Sequence, residues 1–133
     1  MQTQADALTP VRNALTKLTH DVGREGMEAI MAVFLEVTPQ NIDAIQHAIE
    51  VGDKKMLAYE AHKLKGASGV VGLESIRELA LKLEQRAKAQ SLDGTAQLCV
   101  AIRSAYLEMA TAYESGLLVC TAATGAKLHH AMS

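Results

Sequence analysis

Apolar residues recur at helical spacing along most of this chain, and nowhere do they alternate as a half-buried strand requires. The longest run spans Arg24 to Val51, where Met27, Ile30, Met31, Phe34, Val37, Ile42, Ile45 and Ile49 mark one face. Pro39 lies inside that run. A proline there removes a backbone donor and crowds the preceding turn, so the pattern predicts a kink or break near Val37–Thr38, in one bent helix or between two. Gly52-Asp53 then supplies a left-handed stop followed by an N-cap. The next helical pattern runs to about Val70, with Leu57, Ala61, Leu64, Ser68 and Val71 facing inward, and Gly72 ends it. Leu73 to Gln90 repeats the pattern through Ile76, Leu79, Ala80, Leu83 and Ala87. In the turn Ser91-Leu92-Asp93-Gly94, Asp93 is expected as N-cap. A last helix then carries Leu98, Cys99, Ile102, Ala105, Tyr106, Met109 and Tyr113 to about Gly116.

Before the long run, Thr9-Pro10 reads as an N-cap followed by a proline at the first helical position. Val11, Leu15 and Leu18 continue a short helix to about His20, and Asp21 and Gly23 interrupt it. Four long amphipathic helices with short links bury their apolar faces in an all-α, antiparallel four-helix bundle, here with an additional short N-terminal helix as a cap. Residues 1–7 read as a flexible N-terminus, 8–116 as the bundle and 117–133 as a C-terminal tail. Leu117, Leu118 and Val119 are candidates to pack on the bundle, and Thr121 to Gly125 reads as flexible.

A length of 133 residues suits one domain with its own core. The 3% aromatic share and the abundance of Ala, Leu, Met, Lys, Glu and Gln favour helix over sheet. A net charge of -2 argues against a nucleic-acid surface. Cys99 and Cys120 lack the pattern of a disulfide framework or a zinc site, and free thiols fit a reducing compartment. The polar start is unlike a signal peptide, and no apolar run reaches the roughly 20 residues that a bilayer requires. The expected setting is the cytoplasm, without membrane insertion.

The stretch His62-Lys63-Leu64-Lys65-Gly66-Ala67-Ser68-Gly69-Val70-Val71-Gly72 carries the chemistry. At roughly 100° per residue, His62 falls roughly 140° from the centre of the inward arc, on the solvent side of its helix. Lys55, Ala58, Tyr59, Lys65, Gly66 and Gly69 share that side. Positions three and four apart share a helix face, so the imidazole stands beside one cation, Lys65, and one missing side chain, Gly66. The cation can offset phosphate charge, and the gap admits a bulky donor. Each glycine on an exposed helix face costs about 1 kcal/mol relative to alanine, which points to close approach by another surface. Solvated charges, and a poorly formed helix end at Gly66, Gly69 and Gly72, are the bland reading of the same residues. The chain shows no phosphate-binding loop of the G-x-x-x-x-G-K-[ST] kind, no kinase boxes and no dinucleotide fingerprint. Asp43 and His47 are too few to make a metal site, and His129-His130 is at most an adventitious one. Tyr106 and Tyr113 read as core or boundary residues.

This signature resembles that of the histidine-containing phosphotransfer (HPt) domains, helical bundles of bacterial and fungal phosphorelays. The similarity extends to Phe34-Leu35-Glu36-Val37-Thr38-Pro39, to Val51-Gly52-Asp53 and to Leu83-Glu84, over about residues 27–115. The resemblance implies that His62 takes a phosphoryl group from the aspartyl-phosphate of a receiver domain and passes it to another receiver aspartate. It implies that Lys65 balances phosphate charge and that Gly66 leaves room for the receiver. It also implies a hydrogen-bond partner for the ring or its phosphate at Glu84, 22 positions after the histidine. Lys88, one turn further, could add positive potential, although both residues also read as solvated helix charges. Ala58, Tyr59, Gly66, Gly69 and Lys88 are the expected receiver contacts. The partners implied are response-regulator receiver domains and a hybrid sensor kinase. No cofactor or metal is expected on the chain itself, since the Mg2+ of such transfers is expected on the receiver. Such a protein is a phosphotransfer component without its own ATP site. The competing readings are a helical module that binds receivers without chemistry and, further off, a bundle enzyme or metal protein.

Overall fold

A computed structural model describes residues 4–118. Four helical elements follow one another: α1 (Gln4–Val51), α2 (Lys54–Val71), α3 (Glu74–Lys88) and α4 (Thr95–Glu114). Each helix packs on the next, and α4 returns to α1, which closes a four-membered ring. The connections are only a few residues long, so neighbours run antiparallel. Among the described residues there is no strand, and no helix is long and apolar enough to cross a membrane.

α1 is broken at Gly23, which lies at φ 84° and ψ 167°. A side chain rarely tolerates that φ, so the interruption expected at Asp21 and Gly23 falls on the residue that meets it without strain. The segment before the break is the additional N-terminal helix. It begins at Gln4, so Thr9 is not its N-cap and Pro10 is not its first residue. Leu8 explains the earlier start. It is buried with Leu15 and Leu18, which gives the turn before Pro10 something to pack. Leu8, Pro10 and Val11 line a cavity together with Leu73 and Ile76, at the N-cap and first turn of α3, and Met109 of α4. Of the expected tail, Leu118 is buried and Leu117 exposed. Residues 1–3 and 119–133, including Val119, Cys120 and the histidine pair, lie outside the described residues.

The inward face predicted for α2 is the one observed: Leu57, Ala61, Leu64, Ser68 and Val71 are all buried. Asp53 caps that helix by accepting a hydrogen bond from the Met56 N–H at 2.9 Å. Gly72 closes it in the left-handed conformation, at φ 88°. Two other expectations fail. α3 stops at Lys88 rather than Gln90, which itself adopts φ 60°. The N-cap of α4 is Gly94, at φ 74°, rather than Asp93. Arg86 donates to the Asp93 carbonyl, and the Asp93 N–H donates to Ser91 Oγ at 3.1 Å, so backbone bonds rather than the Asp93 carboxylate shape this turn.

Pro39 neither splits α1 nor departs from helical dihedrals, since Gly23 holds the only break. A proline at 39 cannot donate to the Leu35 carbonyl, which should leave a buried acceptor orphaned. The Tyr106 hydroxyl of α4 donates to that carbonyl at 3.1 Å. Its ring packs 6.3 Å from that of Phe34, centroid to centroid. Val37, expected inside, is exposed, whereas Thr38 and Asn41 are buried in its place. The inward arc of α1 thus lies slightly off the one its apolar residues alone predict.

Tyr106→Phe should destabilise the bundle by about 1 kcal/mol, because it leaves the Leu35 carbonyl unpaired. In a Pro39→Ala background, residue 39 regains its N–H, and the cost of Tyr106→Phe should shrink markedly. Urea unfolding of the four proteins measures the coupling; strict additivity would show that Tyr106 does not replace the missing donor.

Candidate functional site

His62 stands near the middle of α2, outside the buried arc, with its side chain 66% exposed. Facing it across the α2–α3 interface is Glu84, whose side chain is only 5% exposed. His62 Nδ1 and Glu84 Oε2 are 2.9 Å apart. In the neutral ring, a hydrogen bond to a carboxylate places the proton on Nδ1 and leaves a lone pair on Nε2. Nε2 has no partner among the described residues.

Two ammonium groups converge on the same carboxylate. Lys65 Nζ lies 2.7 Å from Oε1 and Lys88 Nζ lies 3.0 Å from Oε2. Lys65 is one turn from His62 on α2, and Lys88 one turn from Glu84 on α3. The i,i+3 and i,i+4 geometry of two packed helices thus assembles the cluster. Burial pushes the Glu84 carboxyl up, but the hydrogen bonds of Lys65, Lys88 and His62 outweigh it and hold the group down at about 2. A carboxylate in that setting stays ionised at any physiological pH.

Two of the three glycines of the stretch, Gly66 and Gly69, are not required by the fold. Both sit in helical conformation within α2. A Cβ on Gly66 would meet nothing within 4 Å, and one on Gly69 would touch only the Arg77 side chain, at 3.5 Å. Above Gly66 there is open space, one turn from the imidazole. Tyr59 is exposed on the same face, while Ala58 is half-buried and packs against the core. The structure therefore brings His62, Lys65, Glu84 and Lys88 into one cluster, with Tyr59, Gly66 and Gly69 on its exposed rim. Ala58 lies at the edge of that rim rather than on it.

Sequence reasoning missed two parts of this region. Asn41 Nδ2 donates to the Glu60 carbonyl at 3.1 Å and to Glu60 Oε1 at 2.9 Å. This buried pair pins α1 to α2 two residues before the histidine. Its signal was a polar residue at an inward helical position, which an apolar count overlooks. The other part is an apolar groove between α1 and α2, lined by Ala29, Ile30, Val33, Phe34, Ala67 and Val70. Val33 and Val70 are exposed there, next to the Gly66 turn. Val37, read as a core residue, is exposed on the same helix one turn from Val33.

The site is thus an exposed imidazole on a helical bundle, its Nδ1 against a buried carboxylate and two ammonium groups in reach. The chain belongs to the Hpt domain family, whose model matches residues 29–112. Multistep phosphorelay regulator 1 of Schizosaccharomyces pombe is 30% identical over 88 residues, which cover 66% of this chain and 30% of that protein. Aerobic respiration control sensor protein ArcB of Escherichia coli O157:H7 is 33% identical over 54 residues, covering 41% of this chain and 7% of that protein. The chain thus spans less than a third of the length of either relative. No solved structure matches it.

Glu84 is more acidic folded than its ordinary value of 4.5, at about 2. Its ionised partners therefore stabilise the fold fully above about pH 5, and that stabilisation is lost as pH falls through about 2. On the order of 2–3 kcal/mol is at stake. The stability difference between wild type and Glu84→Gln should shrink as pH is lowered from 5 to 2 in chemical denaturation. Parallel curves over that range would contradict the assigned partners.

Proposed function

We propose that this chain is a phosphorelay intermediate that carries a phosphoryl group reversibly on His62 Nε2, between receiver-domain aspartates. The observation that carries the reading is the His62–Glu84 contact, which leaves Nε2 as the available nucleophile in an exposed ring. Family membership and the two relatives, a multistep phosphorelay regulator and an aerobic respiration control sensor, support it.

The transfer needs three things from this side. The lone pair on Nε2 attacks the phosphorus of an aspartyl-phosphate, and the aspartate carboxylate departs. The incoming phosphoryl oxygens need cations, and Lys65 and Lys88 each lie one side-chain swing away. The donor must approach within bonding distance, and the bare turn at Gly66 gives it room. Receiver contact is assigned to the rim of Tyr59, Gly66, Gly69 and Lys88, with Ala58 at its edge. The apolar groove at Val33 and Val70 extends that surface. Mg2+ is assigned to the acidic pocket of the receiver. The partners on this reading are receiver domains of response regulators or of a hybrid sensor kinase, and the setting is the cytoplasm. The chain is a carrier and has no ATP site of its own. A module that binds receivers without chemistry would have no use for a buried carboxylate oriented on an exposed imidazole, which is why the carrier reading is preferred.

Incubation with a phosphorylated receiver should place acid-labile, alkali-stable label on the wild-type protein and none on His62→Gln. Label that persists in His62→Gln, or its absence with every receiver of the host, would remove the assignment. Lys65→Ala should slow transfer and keep the fold, because its ammonium is partly exposed and its loss leaves Lys88 on Glu84. Unchanged transfer would contradict charge balancing by Lys65.

Gly66→Ala offers a sharper test. Adding a methyl group in open space on a helix should stabilise the protein by about 0.5–1 kcal/mol. The same methyl group should slow transfer by blocking approach. A stabilised variant that transfers at the wild-type rate would show that the bare turn is not where the receiver docks.

A further inference from the structure

A second buried carboxylate stands beside the histidine, on the flank away from Glu84. Glu60 lies two residues before His62 and meets α1. Its Oε1 accepts from Asn41 Nδ2 at 2.9 Å, and Lys63 Nζ lies 3.3 Å from the same oxygen. The amide from α1 is neutral, so among the described residues Lys63 is the one cation on this charge. A buried carboxylate holds such a partner firmly, since losing it leaves the charge uncompensated. The Lys63 ammonium also stands over the exposed ring of Tyr59, 5.2 Å from its centroid and within cation–π range. Two contacts thus fix an ammonium whose side chain is still 47% exposed. Compensating Glu60 requires the first contact, but it does not require that the charge be shown to solvent beside the histidine.

The place of that charge is what gives it a use. At roughly 100° per residue, Lys63 lies roughly 60° to one side of Gly66 and Lys65 roughly 100° to the other, so cations flank the bare turn on both sides. The wider charge pattern has the same sign. α2 and α3 together carry eight Lys and Arg against four Asp and Glu, and two of those four, Glu60 and Glu84, are buried. α1 and α4 carry four against nine. An acidic surface is therefore drawn to the face around His62 and repelled by the opposite side of the bundle.

Resting on the reading of His62 as the carrier, we propose that Lys63 is a docking cation, held ready by Glu60 and Tyr59, that pairs with a carboxylate on the receiver's docking surface and so favours receivers that are acidic there. Ordering a long side chain is a main entropic cost of such a contact, and here the ammonium is already in place before the partner arrives. A charge at the rim of an interface acts mainly on the association rate and on its dependence on salt. The cations around His62 thus divide their work. Lys65 and Lys88, on Glu84, are in reach of the transferred phosphoryl group, and Lys63, on Glu60, serves recognition of the protein that brings it.

The test measures phosphoryl transfer to His62 from two donors: the phosphorylated receiver of the host that labels wild type fastest, and a small phosphoramidate that needs no docking. Lys63→Gln should lower kcat/KM with the receiver by about fivefold, mainly through KM, and should flatten its decline as salt is raised. Labelling by the phosphoramidate should stay within about twofold of wild type. Lys63→Arg, which keeps the charge, should keep the receiver rate. Glu60→Gln combined with Lys63→Gln removes the buried charge together with its cation and leaves Asn41 an acceptor. That double variant should show the same loss, and it carries the test should Lys63→Gln alone fail to fold. A Lys63→Gln protein that accepts from the receiver at the wild-type rate, with the wild-type salt dependence, would overturn the docking role and leave the carrier reading intact. Equal slowing with both donors would overturn it too, as a defect of the site rather than of docking. A wild-type protein that takes no phosphoryl group on His62 from either donor would overturn both.

Discussion

A carboxylate buried between two helices survives there only if cations and hydrogen-bond donors reach it. Glu84 meets that condition with three groups, one imidazole and two ammonium ions, drawn from both helices of the α2–α3 interface. Removing one donor leaves two others on the charge, whereas removing all of them would leave a buried charge uncompensated, which destabilises strongly. The position of α3 against α2, the tautomer of the histidine and the positive charge gathered beside it therefore share one cause. The site is part of what holds the bundle together rather than a decoration on a finished scaffold.

The remaining helices serve that pair. α1 is tied to α2 through the buried Asn41–Glu60 contact, next to the helical turn that presents His62. α4 reaches α1 through Tyr106, which answers the carbonyl that Pro39 leaves without a donor. A hydroxyl on one helix thus allows a proline within another, and the chain keeps a straight run of helical dihedrals where a sequence-based rule expects a break. Such a contact couples positions 67 residues apart along the chain and is silent in local sequence patterns.

Much of this was legible beforehand, for identifiable reasons. The inward face of α2 followed from spacing alone, because five apolar or small residues fall in one narrow arc and the same arithmetic put His62 outside. Gly23 and Gly72 were legible because a positive φ selects glycine. The caps were less so: Asp93 and Gly94 compete for one boundary, and the winner depends on an Arg86 bond that comes from α3. Val37 was misjudged and Asn41 missed because hydrophobicity was used as a proxy for burial, while a buried amide with a carboxylate partner is as well satisfied as a valine. Glu84 and Lys88 could be named only by resemblance, since nothing local on α3 says which helix face meets the histidine.

The family match begins at residue 29, beyond the break at Gly23. The helix before that break packs on the α2–α3 turn and on the far part of α4, and Gly72 sits against Ala14, 3.2 Å from where a Cβ would project. It therefore works as a lid screwed onto one end of a barrel whose working surface lies on the side wall. A chain built this way can alter its leading helix, in length, charge or attachment, and keep the face around His62 unchanged. The first two dozen residues can then vary at a cost in core packing that falls mainly on Leu8, Val11, Leu15 and Leu18.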